Sequence, residues 1–263
     1  MLLRTDGPAV IAIPQPSHAW LSGQLARAWG NEQFAAPLPN EDVCLAAELH
    51  DIGWLAWEEA PVLEAGTGLP IPFSKVPPQT HIGLWREGVR RARAFGRYPA
   101  LLVSLHADTI YGRYFDAATA SPEDAEAVRT FLEGQHEVQA RIAASLRADP
   151  EYGGQAAAAN IARNQRLIAA LDWMSLAICW GVESDQKIPD VPTEGEDKTE
   201  LSLRFRDRHN LVLDPWPFHK PSIAVHAEGK RLRGRCSTQK ELQKALNEAE
   251  PVRVSAVLHQ ARS

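Results

Sequence analysis

Apolar stripes at helical spacing, set between Pro- and Gly-rich breaks, dominate the first two thirds of the chain. Gly7-Pro8 reads as a turn before an apolar strand, Ala9 to Ile13, which Pro14 and Pro16 stop. From Ser17 to Trp29, the positions Ala19, Trp20, Leu21, Leu25, Ala26 and Trp29 form one broad apolar stripe and predict a helix. Asn40, placed as an N-cap ahead of Glu41 and Asp42, opens a second helix that carries Val43, Leu45, Ala46, Leu49 and Ile52 and ends near Gly53. Pro61 to Gln79 follows neither period; so long a loop in a compact domain is a candidate lid. Further helices are expected from Thr80 to Phe95, Pro99 to Ile110, Ser121 to Ala148 and Gln155 to Trp180. The third of these starts most clearly, with Ser121 as cap, Pro122 at the first position and Glu123 and Asp124 in the first turn.

The pattern changes after Trp180. Glu183 to Glu200 is acidic and Pro-containing, and reads as a solvated linker or loop. Alternation in Leu201 to Phe205, Ser222 to His226 and Val252 to Val257 predicts strands, with one helix near Gln239 to Ala249. The expected architecture is therefore mostly α. A helical domain with a short N-terminal β element spans residues 1–182, a linker or loop 183–200, and a small α+β or β-rich subdomain 201–263.

Composition narrows the classes. The 263 residues are 44% hydrophobic and 23% charged, ordinary values for a soluble globular protein. A net charge of -5 does not indicate a nucleic-acid or anionic-membrane surface. The local basic clusters, Arg90-Arg91-Ala92-Arg93 and Lys230-Arg231-Leu232-Arg233-Gly234-Arg235, read as the wet face of a helix and a basic turn or strand edge. Cys44, Cys179 and Cys236 are far apart with no Cys-x-x-Cys pair, which argues against a disulfide framework or a thiolate zinc site. No apolar run approaches the ~20 residues of a membrane span, and the first residues lack the apolar segment of a signal peptide. A cytoplasmic location is expected.

The chemistry stands out as polar residues on apolar helices. His50-Asp51 closes Leu45-Ala46-Ala47-Glu48-Leu49, Asp172 interrupts Leu167 to Leu176, and His106 ends Leu101-Leu102-Val103-Ser104-Leu105. Burying such groups unpaired is expensive. His18 and His81 lie in the first turns of their helices. Each histidine taken singly is more often a hydrogen-bonded core residue than a ligand, and His136 is assigned to structure or surface. Jointly, five helices each present a ligand-type residue or pair, and imidazoles with carboxylates suit Zn, Fe, Mn, Co or Ni. Trp54, Trp57, Trp85 and Trp173 lie near these residues as core aromatics or pocket wall.

The order His18, His50-Asp51, His81, His106, Asp172 resembles the HD-domain superfamily of helical metalloproteins, in its two-metal subset, over approximately residues 15–181. The whole chain, through Gln15-Pro16-Ser17-His18 and Asp214-Pro215-Trp216-Pro217-Phe218, also resembles a bacterial family of unknown function. The HD resemblance implies a helical bundle and two divalent transition-metal ions. His18, His50, Asp51 and Asp172 would hold one ion, and Asp51, as bridge and catalytic residue, would reach a second held by His81 and His106. Many HD proteins place Lys just after His-Asp-x-Gly; here that position is Trp54, which joins Lys75, Arg86 and Arg113 as candidate substrate contacts.

The leading functional expectation is a metal-dependent hydrolase of phosphoester bonds acting on a small, anionic molecule. The alternatives are an HD-type di-iron oxygenase acting on a small polar organic substrate and a non-catalytic, metal-stabilised binding module. No nucleic acid or membrane partner is expected, and self-association into a homo-oligomer stays open.

Overall fold

The computed structural model describes residues 1–195 and 197–261. Two strands open the chain, β1 (Leu2–Asp6) and β2 (Ala9–Ile13), joined by the expected Gly7-Pro8 turn with Gly7 at φ +59°. Helices α1 (Gln15–Ala28), α2 (Asn40–Leu49) and α3 (Leu55–Glu59) follow, the last two linked by a single 3-10 turn at Ile52–Trp54. A short hairpin, β3 (Leu63–Glu64) and β4 (Leu69–Pro70), precedes α4 (Pro78–Ala92), α5 (Arg97–Tyr114), α6 (Pro122–Arg147) and α7 (Ala158–Trp180). The remainder is β5 (Gln186–Pro192), β6 (Lys198–Phe205), β7 (Asn210–Asp214), β8 (Ser222–Leu232), α8 (Gln239–Glu248) and β9 (Glu250–Gln260).

The mostly-α expectation fails here. The fold is α/β: a curled seven-stranded mixed sheet runs β1-β2-β8-β9-β7-β6-β5, antiparallel except where β7 pairs parallel with β9. The sheet is not a small C-terminal appendage, because the N-terminal hairpin is part of it; Val10 stands opposite Leu232. Its inner face is also the core of the helical layer. Ile13, Leu203, Leu213, Val225 and Leu258 pack in one cluster with Leu21 and Leu25 of α1 and Leu171 and Ile178 of α7. A sheet with one apolar face must bury it, and two long apolar helices do so. On β8, Ile223, Val225 and Ala227 are buried while alternate neighbours are not, the period-two signature of such a face. Leu242 and Leu246 of α8 pack with Ala12 and Leu232 in a separate, smaller cluster.

Strand β5 occupies part of the expected acidic linker. Its Pro189 and Pro192 are tolerated because it is an edge strand, and the register breaks between Ile188 and Val191. Helix starts follow backbone chemistry more than side-chain caps. Ser121 Oγ accepts from the Asp124 N–H as expected, whereas Asn40 and Thr80 cap nothing; their helices follow Pro39 and Pro77 instead. One buried cation ties sheet to helix: Arg4 on β1 donates to the Ile178 carbonyl (3.0 Å) at the end of α7. There Gly181, at φ +66°, closes the helix in the left-handed region, which favours glycine. Among the described residues no helix is long and apolar enough to cross a membrane.

Candidate metal centre

Five polar residues meet where α1, the end of α2, α5 and α7 converge. His18 comes from the first turn of α1, His50 and Asp51 from the junction between α2 and the 3-10 turn, His106 from α5 and Asp172 from α7. None is more than 8% exposed. The chain turns sharply after Asp51, and Gly53 lets α4 close over that turn: a Cβ on Gly53 would run into the Leu84 carbonyl. That close approach brings α4, with His81 and Trp85, beside the centre.

The donor atoms form two overlapping groups that could hold a metal ion, His18 with His50 and Asp51, and His50 with His106 and Asp172. His18 Nε2 lies 2.9 Å and His50 Nε2 3.7 Å from Asp51 Oδ2. His50 Nε2 and His106 Nε2 each lie 3.4 Å from an oxygen of Asp172. Two ligands bound to one ion at about 2.1 Å, with roughly 90–110° between them, stand about 3.0–3.4 Å apart. The spacing therefore fits ligands sharing an ion.

Hydrogen bonds set the imidazoles for the same task. The Ala47 carbonyl can only accept, so His50 Nδ1 donates to it (2.8 Å), leaving the neutral ring's lone pair on Nε2. Ser175 Oγ donates to the Asp172 carbonyl and accepts from His18 Nδ1, both at 2.8 Å, which turns His18 Nε2 toward Asp51 Oδ2 (2.9 Å). His50 Nε2 is buried without a hydrogen-bond partner, as is His106 Nδ1. A buried nitrogen with its lone pair among carboxylates calls for a proton or a cation.

The electrostatics agree. Burial disfavours charge on Asp51, yet His50 and His18 outweigh it and hold the carboxyl below its ordinary range. Asp172 is likewise held low against burial, by His106 and His50. Burial also opposes charge on His50, but the two carboxylates raise it to about 9. His106 is lowered, chiefly by burial. Two buried anions thus demand positive charge at their common centre, and the donor set suits a divalent ion better than one shared proton.

His18, Asp51, His106 and Asp172 form the floor of a cavity of about 390 Å³; His50 is not among its lining residues. His81 belongs to neither donor group. It stands in the wall, ring against Trp54 (5.5 Å), Trp85 (5.7 Å) and Tyr111 (5.6 Å), with Nδ1 3.3 Å from the Tyr111 hydroxyl. Trp54, Trp85 and Trp173 line the cavity; Trp57 does not. None of the three expected cationic contacts lines the cavity, though Arg113 stands beside Tyr114, which does. Lys75 pairs with Glu64 at the surface, the Arg86 guanidinium lies over the Phe131 ring (5.8 Å), and Arg113 is exposed beside the Tyr114 hydroxyl. The expected lid contributes Phe73, Ser74 and Val76 to the wall.

Two supporting residues escape a reading of the sequence. Gln15 Nε2 donates to Asp51 Oδ2 (3.3 Å), and Ser175 orients His18. Ser175 had a signal, since it lies three residues after Asp172 on the same helical face. Gln15 had none beyond its nearness to His18.

Fold and site together define an α/β protein with a buried His/Asp centre that could hold a metal ion. The family model described as a protein of unknown function (DUF3891) matches residues 1–234, and the chain belongs to that family. No curated protein and no solved structure matches the chain.

Proposed function

We propose that the protein is a metal-dependent hydrolase acting on a small molecule held in the cavity above the His/Asp centre. The observation that carries this reading is the buried, unpartnered His50 Nε2, oriented by the Ala47 carbonyl toward Asp51 and Asp172, which line the floor of that cavity. His18, His50, Asp51, His106 and Asp172 would hold one ion or a pair, with Asp51 the candidate bridge. A bound divalent ion would supply Lewis acidity and a water of lowered pKa. The chain's own contribution is to fix the ligands: Ser175 sets the His18 ring, Gln15 restrains the Asp51 carboxylate, and burial excludes bulk water. The HD resemblance supports phosphoester bonds as first substrates to try.

A specific observation favours a second reading, an iron oxygenase. Each donor group contains two histidines and one carboxylate, the set typical of non-haem iron oxygenases. Protein loaded separately with Mn, Zn and anaerobic Fe(II) should be assayed for phosphoester and carboxylester cleavage and for oxygen uptake. Metal-dependent cleavage that vanishes in Asp51→Asn is the expected result. Oxygen uptake with iron alone would replace the first reading by the second, and a metal-retaining protein inactive in every assay would support a binding module.

A further inference from the structure

The cavity walls differ in kind from its floor. Trp180 stacks on Phe73 (5.6 Å), Phe73 meets Trp54 (6.5 Å), Trp54 meets His81, His81 meets Tyr111, and Tyr111 meets Phe115 (5.9 Å). All of these rings line the cavity, and Tyr114, 62% exposed, lines it too and marks its opening. No Lys or Arg is among the lining residues. A polar, multiply charged body entering this space would lose its hydration and meet ring faces in return. A flat apolar body would bury its faces against complementary ones.

Resting on the metal-dependent reading for the floor, we infer that the ligand has a flat aromatic or otherwise apolar body, with its polar group confined to the end that reaches the His/Asp centre. The metal would draw an oxygen-bearing group whatever the rest of the molecule; the walls select that rest. Sugar phosphates, whose bodies are polar throughout, do not meet this requirement.

The test compares bodies at constant head group. Binding of 2-naphthyl phosphate, ribose 5-phosphate and neutral 2-naphthol is measured by calorimetry on the metal-loaded full chain, with metal content determined on the same samples. The naphthyl phosphate should bind at least tenfold more tightly than ribose 5-phosphate, and 2-naphthol should bind as well. Phe73→Ala, at the start of a 3-10 turn, and Tyr114→Ala, at the exposed opening, should each weaken both naphthyl probes by roughly three- to tenfold. Equal or tighter binding of ribose 5-phosphate would overturn the inference, as would naphthyl binding indifferent to both substitutions. The metal readout keeps the two readings apart. Naphthyl preference in protein that takes up no metal would drop the metal centre and keep the apolar pocket; metal uptake without the preference would do the reverse.

Discussion

Helix α5 carries two meeting places of histidine and aspartate, only two residues apart in sequence, and they are built on opposite principles. On one side Asp108 accepts from Gln139 Nε2 (2.7 Å) and pairs with His136 (3.0 Å), while Ser104 donates to Gln135 (2.8 Å) and accepts from Gln139 (3.0 Å). The residues of α5 and α6 satisfy one another, and the outer histidine reaches water. On the other side His106 faces Asp172 with Nδ1 unpartnered, and the neighbouring His50 leaves Nε2 unpartnered as well. Similar residue types give a closed network in one place and an open one in the other. A closed network cross-links helices; an open, buried one points to something it must hold.

Substitutions on the two sides should separate these roles most strongly. Removing a ligand by His50→Ala should lower metal affinity by more than the ~10–100-fold typical of an outer-shell change, read by calorimetric titration. Gln139→Leu should leave metal affinity unchanged and cost about 1–3 kcal/mol in urea unfolding, because it removes one hydrogen-bond partner each from Ser104 and Asp108. Loss of metal in both variants would erase the distinction.

A smaller effect sharpens it. Ser175→Ala removes the acceptor that fixes the His18 tautomer, so metal affinity should fall by roughly 10–100-fold with the fold retained. An unchanged affinity would mean that His18 is oriented by packing alone.

An effect of similar size, read in pH dependence, comes from a third buried carboxylate. Glu58 accepts from the Gln15 N–H (2.7 Å) and pairs with the Met1 ammonium (2.5 Å), yet burial outweighs both and raises it from an ordinary 4.5 to about 6, whereas histidines hold Asp51 and Asp172 low. The folded state thus binds the Glu58 proton more tightly than the unfolded chain. The resulting stabilisation is complete below pH 4.5 and is lost as pH rises through 6, an expected decline of about 2 kcal/mol. Comparing urea unfolding of wild type and Glu58→Gln at pH 4.5 and 7 isolates this contribution; equal pH dependence in the two would refute it.

What could be read in the sequence follows the range of the forces involved. Apolar period and a local cap placed α6 and α7 within a few residues, because those signals act inside one helix. The polar breaks in apolar helices marked His50, Asp51, His106 and Asp172 because burial without a partner is costly wherever the chain leads. The sheet was hidden for the complementary reason. Pairing of Val10 with Leu232 is a contact between distant segments, and no local pattern records it. β5 was masked by prolines that only an edge strand accepts. His81 shows the limit of ligand spotting: it lines the cavity beside the centre but joins neither donor group, a difference that no local pattern records.

Every role assigned to these side chains requires the buried centre to take up a transition-metal ion. Protein purified without chelator, and the same protein reloaded with Mn, Zn or Fe(II) after dialysis, should be assayed by elemental analysis beside Asp172→Asn. At least one tightly held ion per chain in the wild type, lost in the variant while circular dichroism is retained, is the predicted result. A wild type that holds no such ion under any loading condition would show that the His/Asp centre is not a metal site.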